Sequence, residues 1–117
     1  MLTIEKLKAY GANVDEGLSR CMNNETFYLR LVNMAADDAG FERLRTALEK
    51  KDRKEGFEAA HALKGMLGNL ALTPVAKPAS ELTEMLRTEM GTETNSQALL
   101  EEILTQREKL LQLRDET

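Results

Sequence analysis

At three expected helix starts along this sequence a residue that favours helix N-caps is followed, three positions later, by Glu or Gln. The pairs are Asn13 with Glu16, Asp52 with Glu55 and Thr94 with Gln97, and each precedes apolar residues at helical spacing. In such a pair the first side chain accepts a backbone N–H of the opening turn and the second reaches back. Donors that a helix start otherwise leaves unpaired are thereby satisfied. The stop signals match. Gly11 can end a short helix over Thr3 to Tyr10, and the Asn23-Asn24 pair breaks a second that opens at Asn13 and runs to about Met22.

Five further helices follow from the same punctuation. One covers about Glu25 to Ala36, with Phe27, Leu31, Met34 and Ala35 near helical spacing, and Asp37 or Asp38 can cap the next, about Ala39 to Lys50. A longer one starts near Arg53 and runs to about Ala71. Thr73-Pro74 reads as N-cap and first residue of a segment with Val75, Ala79, Leu82 and Leu86 on one stripe, ending before Gly91. Pro78 deletes an early hydrogen bond there, so either the first turn is irregular or the regular helix begins near Pro78. The last helix spans about Asn95 to Arg114, with the stripe Leu99, Leu100, Ile103, Leu104, Leu110 and Leu111. Short loops make consecutive helices antiparallel neighbours. The expected fold is therefore all-α: an up-down four-helix bundle over about 25–114, with short additional helices in 1–22. The 117 residues suit one domain.

Composition removes other classes. The chain has 7 Gly, 2 Pro and no Trp, a poor supply of turn and strand residues for a sandwich or barrel. With 16 basic against 20 acidic residues the net charge is −4, and no basic stripe marks a nucleic-acid binder. A single cysteine, Cys21, excludes an intramolecular disulfide, and a single histidine, His61, excludes metal sites built on two or three imidazoles. No signal-like segment opens the chain and no apolar run is long enough to span a membrane, so the expected compartment is the cytoplasm. No cofactor motif and no metal site is read, and the amphipathic patterning fits a monomer.

The segment Arg53 to Ala71 departs from simple patterning. On a wheel at about 100° per residue with Phe57 at zero, Ala60, Leu63, Met66, Leu67 and Leu70 gather around roughly 245°. His61 falls at about 40°, Gly68 at about 20°, Gly65 at about 80° and Lys64 at about 340°. The lone histidine therefore points away from the core, with two glycines and a lysine on its own face. A glycine inside a helix costs roughly 1 kcal/mol relative to alanine. Such glycines can let another helix pack closely, usually on a buried face; placed opposite the leucines, these two fit better a surface cleared beside the imidazole. An imidazole in water is a competent nucleophile near neutral pH. It can accept a phosphoryl group, with Lys64 one turn on to compensate the oxygens. Taken singly, His61 and Lys64 are ordinary solvated residues; the joint spacing carries the reading. Phe57 shares the face one turn earlier, as the edge of the core or as an interface anchor. General acid-base catalysis fits less well, since no carboxylate is placed to orient the ring.

The run His61-Ala62-Leu63-Lys64-Gly65, with Gly68 and Asn69 following, resembles the signature of histidine-containing phosphotransfer (HPt) domains. The resemblance extends through Ala59-Ala60 before the histidine and Leu70-Ala71-Leu72-Thr73-Pro74 and Ser80-Glu81-Leu82 after it. It implies a four-helix bundle with the histidine exposed midway along one helix. It implies that His61 takes a phosphoryl group from the aspartyl phosphate of a response-regulator receiver domain and passes it to an aspartate on another receiver. Lys64 would help bind the phosphoryl group. Phe57, Gly65, Gly68 and Asn69 would belong to the partner-binding face, the glycines giving the receiver room. The partners would be receiver domains, a hybrid histidine kinase, or both, and the catalytic groups and Mg²⁺ would lie on the receiver. The chain would then be a carrier and not an enzyme; Met1 and the compact length match a free-standing one. Met66 and Leu67 are bulkier than the small residues the family often has after its glycine, and the wheel turns both towards the core. The competing expectation is a helical adapter that binds partners on the same face without chemistry.

Overall fold

The computed structural model describes residues 1–88 and 93–116, apart from the side chains of residues 93 and 94. Within them run seven helices: α1 (Ile4–Tyr10), α2 (Val14–Arg20), α3 (Glu25–Ala36), α4 (Gly40–Glu49), α5 (Arg53–Asn69), α6 (Thr73–Thr88) and α7 (Glu93–Asp115). The all-α expectation is met. Gly91, expected to stop the sixth helix, and the Thr94 side chain, expected to cap the seventh, lie outside the described residues.

The helix starts form as their cap residues dictate. Thr3 Oγ1 accepts the Lys6 N–H at 3.1 Å, Asn24 Oδ1 the Phe27 N–H at 3.0 Å and Asp52 Oδ1 the Glu55 N–H at 3.1 Å. At α2 only half of the reciprocal pair is made. Asn13 Oδ1 accepts from the Glu16 N–H at 3.2 Å, but the backbone N–H of Asn13 donates to the Ala71 carbonyl instead. That bond ties the second helix to the end of α5. α2 stops at Arg20, two residues before the expected end, because Met22 and Asn23 both turn left-handed at φ 57°. Asp38 Oδ2 takes the Gly40 N–H at 2.8 Å at the start of α4, whereas Asp37 pairs with Arg114 of α7 at 2.7 Å.

The four columns close into a ring. α5 packs on α4 and α6, α6 on α7, and α7 on α3 and α4. α3 and α4 together make one column, interrupted at residues 37–39. The columns alternate in direction. A Cβ added at Gly40 would stand 3.0 Å from Leu63 Cδ2, and one at Gly56 3.2 Å from Leu48 Cδ2, so α4 descends as α5 rises. Arg53 near the start of α5 donates Nε to the Leu86 carbonyl near the end of α6 at 3.0 Å. The core holds Tyr28, Val32, Phe41, Leu44, Leu63, Leu67, Val75, Leu82, Ile103 and Leu110, all essentially inaccessible.

Two local readings are corrected. On α3 the core-facing residues are Tyr28, Val32, Ala35 and Ala36, while Phe27 and Met34 are exposed. Two apolar stripes lie side by side on this helix. The one containing Tyr28 wins because its hydroxyl donates to the Leu70 carbonyl at 2.9 Å, so a large ring is buried with its polar tip satisfied. On α6 neither alternative expected for Pro78 holds. The helix runs unbroken from Thr73, and Pro78 is buried in its second turn. Only the bond from residue 78 to the carbonyl of residue 74 is lost, close enough to the start for the turn to persist.

The end of α5 explains its exit. Ala71 adopts φ 56°, the Leu72 N–H bonds to the Leu67 carbonyl at 3.0 Å and the Ala71 N–H to the Gly68 carbonyl at 3.0 Å. This is a Schellman closure with alanine where glycine is usual. It ends the helix two residues before the expected boundary.

Candidate functional site

α5 presents one face to water between two flanks. Gly56, Ala59, Ala60, Leu63 and Leu67 turn into the core. The flank towards α4 carries Glu55 and Glu58, both paired with Arg43. The flank towards α6 carries Arg53, bonded to the Leu86 carbonyl at 3.0 Å, and half-buried Phe57 and Lys64. His61, Ala62 and Gly65 stand exposed between them, and Gly68 is half-buried at the upper end. Leu67 is buried and Met66 half-buried against the core, as the wheel requires for both.

Among the described residues His61 forms no hydrogen bond or ion pair. Its ring contact is Phe57, with centroids 5.7 Å apart and planes at 11°. Phe57 is half-buried one turn below, packed against the core edge, with its ring stacked on the imidazole. Lys64, one turn above and about 4.5 Å along the axis, has no ion-pair partner among the described residues, so its ammonium is uncommitted. A Cβ built at Gly65 or at Gly68 meets nothing within 4 Å. The other helical glycines differ: a Cβ at Gly17 would fall 2.5 Å from Tyr28 Cε1, and Gly40 and Gly56 face side chains of neighbouring columns. The surface from the imidazole to the end of the helix is thus low and open. Asn69 is exposed at that end.

Three features of this neighbourhood were not legible in the sequence. Arg20 of α2 reaches the C-terminus of α5, donating Nη1 to the Gly68 carbonyl at 2.7 Å and to the Asn69 carbonyl at 3.2 Å. A cation there complements the negative end of the helix dipole. Arg43 of α4 donates Nε to Glu55 and brings Nη2 to 3.6 Å from Glu58. Its hydrogen bond holds the Glu55 carboxyl below the usual carboxylate range. The third is the displaced stripe of α3, where Phe27 is 36% and Met34 63% exposed, with half-buried Leu31 between. α7 meets this column on the other side, where Arg107 donates to the Ala36 carbonyl at 2.7 Å and lies 5.0 Å from the Phe41 ring. At about 100° per residue the stripe lies nearly opposite Ala36, in water.

A groove of about 370 Å³ between α4 and α5 is lined by Glu42, Arg43, Thr46, Ala47, Lys50, Asp52 and Glu55. His61 is not part of it. Among the described residues no helix is long and apolar enough to cross a membrane.

Comparison with known families completes the description. The family model for the Hpt domain matches residues 31–116, from the middle of α3 to the end of α7. No curated protein and no solved structure matches the chain.

Proposed function

The chain belongs to the Hpt domain family, and on that premise we propose that it is a phosphorelay carrier whose phosphoryl acceptor is His61. Hpt domains serve histidine phosphotransfer in two-component signalling and act as carriers of the group. The observation that supports His61 is its exposure with both nitrogens unengaged, beside an uncommitted Lys64 and two open glycine positions.

The step balances without an added reagent. A lone pair of a neutral imidazole nitrogen attacks the phosphorus of an aspartyl phosphate on a receiver domain. An N–P bond forms, the O–P bond breaks, and the aspartyl carboxylate leaves with the electron pair. The proton on the other ring nitrogen stays, giving an N-phosphorylated imidazolium. Transfer to a second receiver reverses these bond changes. Lys64 compensates the phosphoryl oxygens, and Phe57 holds the ring in place. The low surface over Gly65 and Gly68 admits the receiver, which brings its own catalytic groups and Mg²⁺. Asn69, exposed at the end of the same helix, belongs to the docking face.

His61→Gln tests the reading. The variant keeps its helical circular dichroism and takes no phosphoryl group from a phosphorylated receiver; continued labelling would overturn the assignment. The exposed stripe also suits an adapter that binds without chemistry. In that case His61→Gln leaves partner binding intact and the wild-type chain is not labelled.

A further inference from the structure

The acidic residue nearest to His61 on its own helix is held by an arginine of the neighbouring helix. Glu58 lies one turn before His61 on the exposed side of α5, and Glu55 nearly one turn before that. Cβ atoms three residues apart on a helix are about 5–6 Å apart, so an extended Glu58 carboxylate can reach the imidazole's surroundings. Instead it is turned towards α4, with one oxygen 3.6 Å from Arg43 Nη2. The same guanidinium donates Nε to Glu55. Arg45, the next arginine of α4, is occupied by Glu42 at 2.5 Å, so the clamp on Glu55 and Glu58 rests on Arg43.

A carboxylate opposes what the histidine is proposed to do. The incoming group is anionic and so is the product. At about 7 Å in water, one negative charge disfavours a phosphoryl group of charge −1 to −2 by roughly three- to sevenfold. A guanidinium bound to that carboxylate cancels most of this.

Resting on the reading of His61 as phosphoryl acceptor, we propose that Arg43 is a positioning residue for the transfer: it turns Glu58 away from the imidazole and neutralises it. Arg43 itself touches neither the ring nor the group transferred. Lys64 attracts the phosphoryl group from the α6 flank, and Arg43 removes a repulsion on the α4 flank.

The test uses the full chain and the small anionic donor phosphoramidate, with phosphohistidine followed by phosphorus NMR. Four proteins are compared at low ionic strength: wild type, Arg43→Gln, Arg43→Lys and Arg43→Gln/Glu58→Gln. Arg43→Gln is expected to label roughly three- to sevenfold more slowly. Arg43→Lys stays close to wild type, and the double variant recovers to within about twofold. The deficit shrinks at high salt, where exposed charges are screened. A merely structural arginine would not be rescued by neutralising Glu58. Should Arg43→Gln not fold by circular dichroism, Arg43→Met keeps the aliphatic stem and carries the same expectations. If wild type is labelled on His61 and Arg43→Gln labels equally fast, or the double variant is as slow as the single one, the role of Arg43 is refuted and the carrier reading stands. If wild type is labelled neither by phosphoramidate nor by a phosphorylated receiver, or His61→Gln is labelled equally, both fall.

Discussion

Replacing both surface glycines of α5 by glutamine separates what they do for the fold from what they do for the partner. Gly65 and Gly68 have helical neighbours on both sides, and a Cβ at either position meets nothing within 4 Å. No packing term opposes the change, so intrinsic propensity decides its sign. Glycine is about 0.8–1.0 kcal/mol less favourable than alanine in a helix interior, and glutamine lies near the favourable end of that scale. The gain is about 0.5 kcal/mol per site, or about 1 kcal/mol for the pair. Arg20 bonds the carbonyl of Gly68, not a side chain, so that contact survives. For a domain of this size about 1 kcal/mol raises Tm by roughly 4 °C. Function should move the other way. Gly65 stands about 6 Å along the axis from His61 and Gly68 about 10 Å, so both new side chains project over the surface a receiver must approach. Loss of docking by about 1.4 kcal/mol or more is at least tenfold in transfer. Calorimetry and receiver-to-histidine transfer on the same preparation give both numbers. A lower Tm would show that the positions are not open. A higher Tm with unchanged transfer would refute the clearance role.

The remaining predictions concern single sites. Lys64→Ala should slow transfer to His61 or shorten the phosphohistidine lifetime several-fold with an unchanged Tm, the scale expected for one charge near a dianion in water; equal rates and lifetimes would show that its ammonium is unused. Gly17→Ala should destabilise by about 1–3 kcal/mol in urea titration, because its Cβ would lie 2.5 Å from Tyr28 Cε1 and 2.8 Å from the Leu70 carbonyl oxygen, which is backbone. An unchanged midpoint would mean that α2 is not held against Tyr28. Burial raises the Tyr28 hydroxyl to about 12, with a smaller push from Cys21. A folded-state value above the unfolded one gives stability that is full below about pH 10 and lost as pH rises towards 12. Urea midpoints over that range should fall more steeply for wild type than for Tyr28→Phe, and parallel slopes would contradict the burial; Tyr10, also raised by desolvation, adds a slope common to both proteins.

The histidine face was legible because it depends on a single helix. A period of 3.6 residues, read from Ala60, Leu63, Leu67 and Leu70, fixes which side of α5 is buried, and His61, Gly65 and Lys64 follow by angle alone. The caps at Asn13 and Asp52 were legible for the same reason, a cap being chosen by residues three apart, whereas Thr3 was read as helix and Asn24 as a break although both cap. What could not be read needed a second element. Phe27, Leu31 and Met34 have the spacing of a core stripe, and so do Tyr28, Val32 and Ala35. The Leu70 carbonyl, forty-two residues away from Tyr28, decides between them. The left-handed turn at Ala71 carries no sequence signal either, since alanine is a poor choice for φ 56°. It forms because the Leu67 and Gly68 carbonyls are closed there and the Ala71 carbonyl receives Asn13.

That distinction bears on how the site is assembled. α5 alone supplies an imidazole, an ammonium and bare backbone, but also Glu55 and Glu58, whose charges work against an anionic ligand. The correction comes from outside the helix: Arg43 on α4 binds both carboxylates, and Arg20 on α2 closes the far end on the Gly68 and Asn69 carbonyls. Both arginines are surface residues of the kind whose pairs contribute little to stability. On the proposed reading Arg43 prepares that face electrostatically, while Arg20, also paired with Glu16, serves the end of the helix. On α3 a row that could have been buried was left in water, while its neighbour took the core through a tyrosine hydroxyl. On the proposed reading, α5 sets where the phosphoryl group is carried, and the helices packed around it set the charges that a partner meets there.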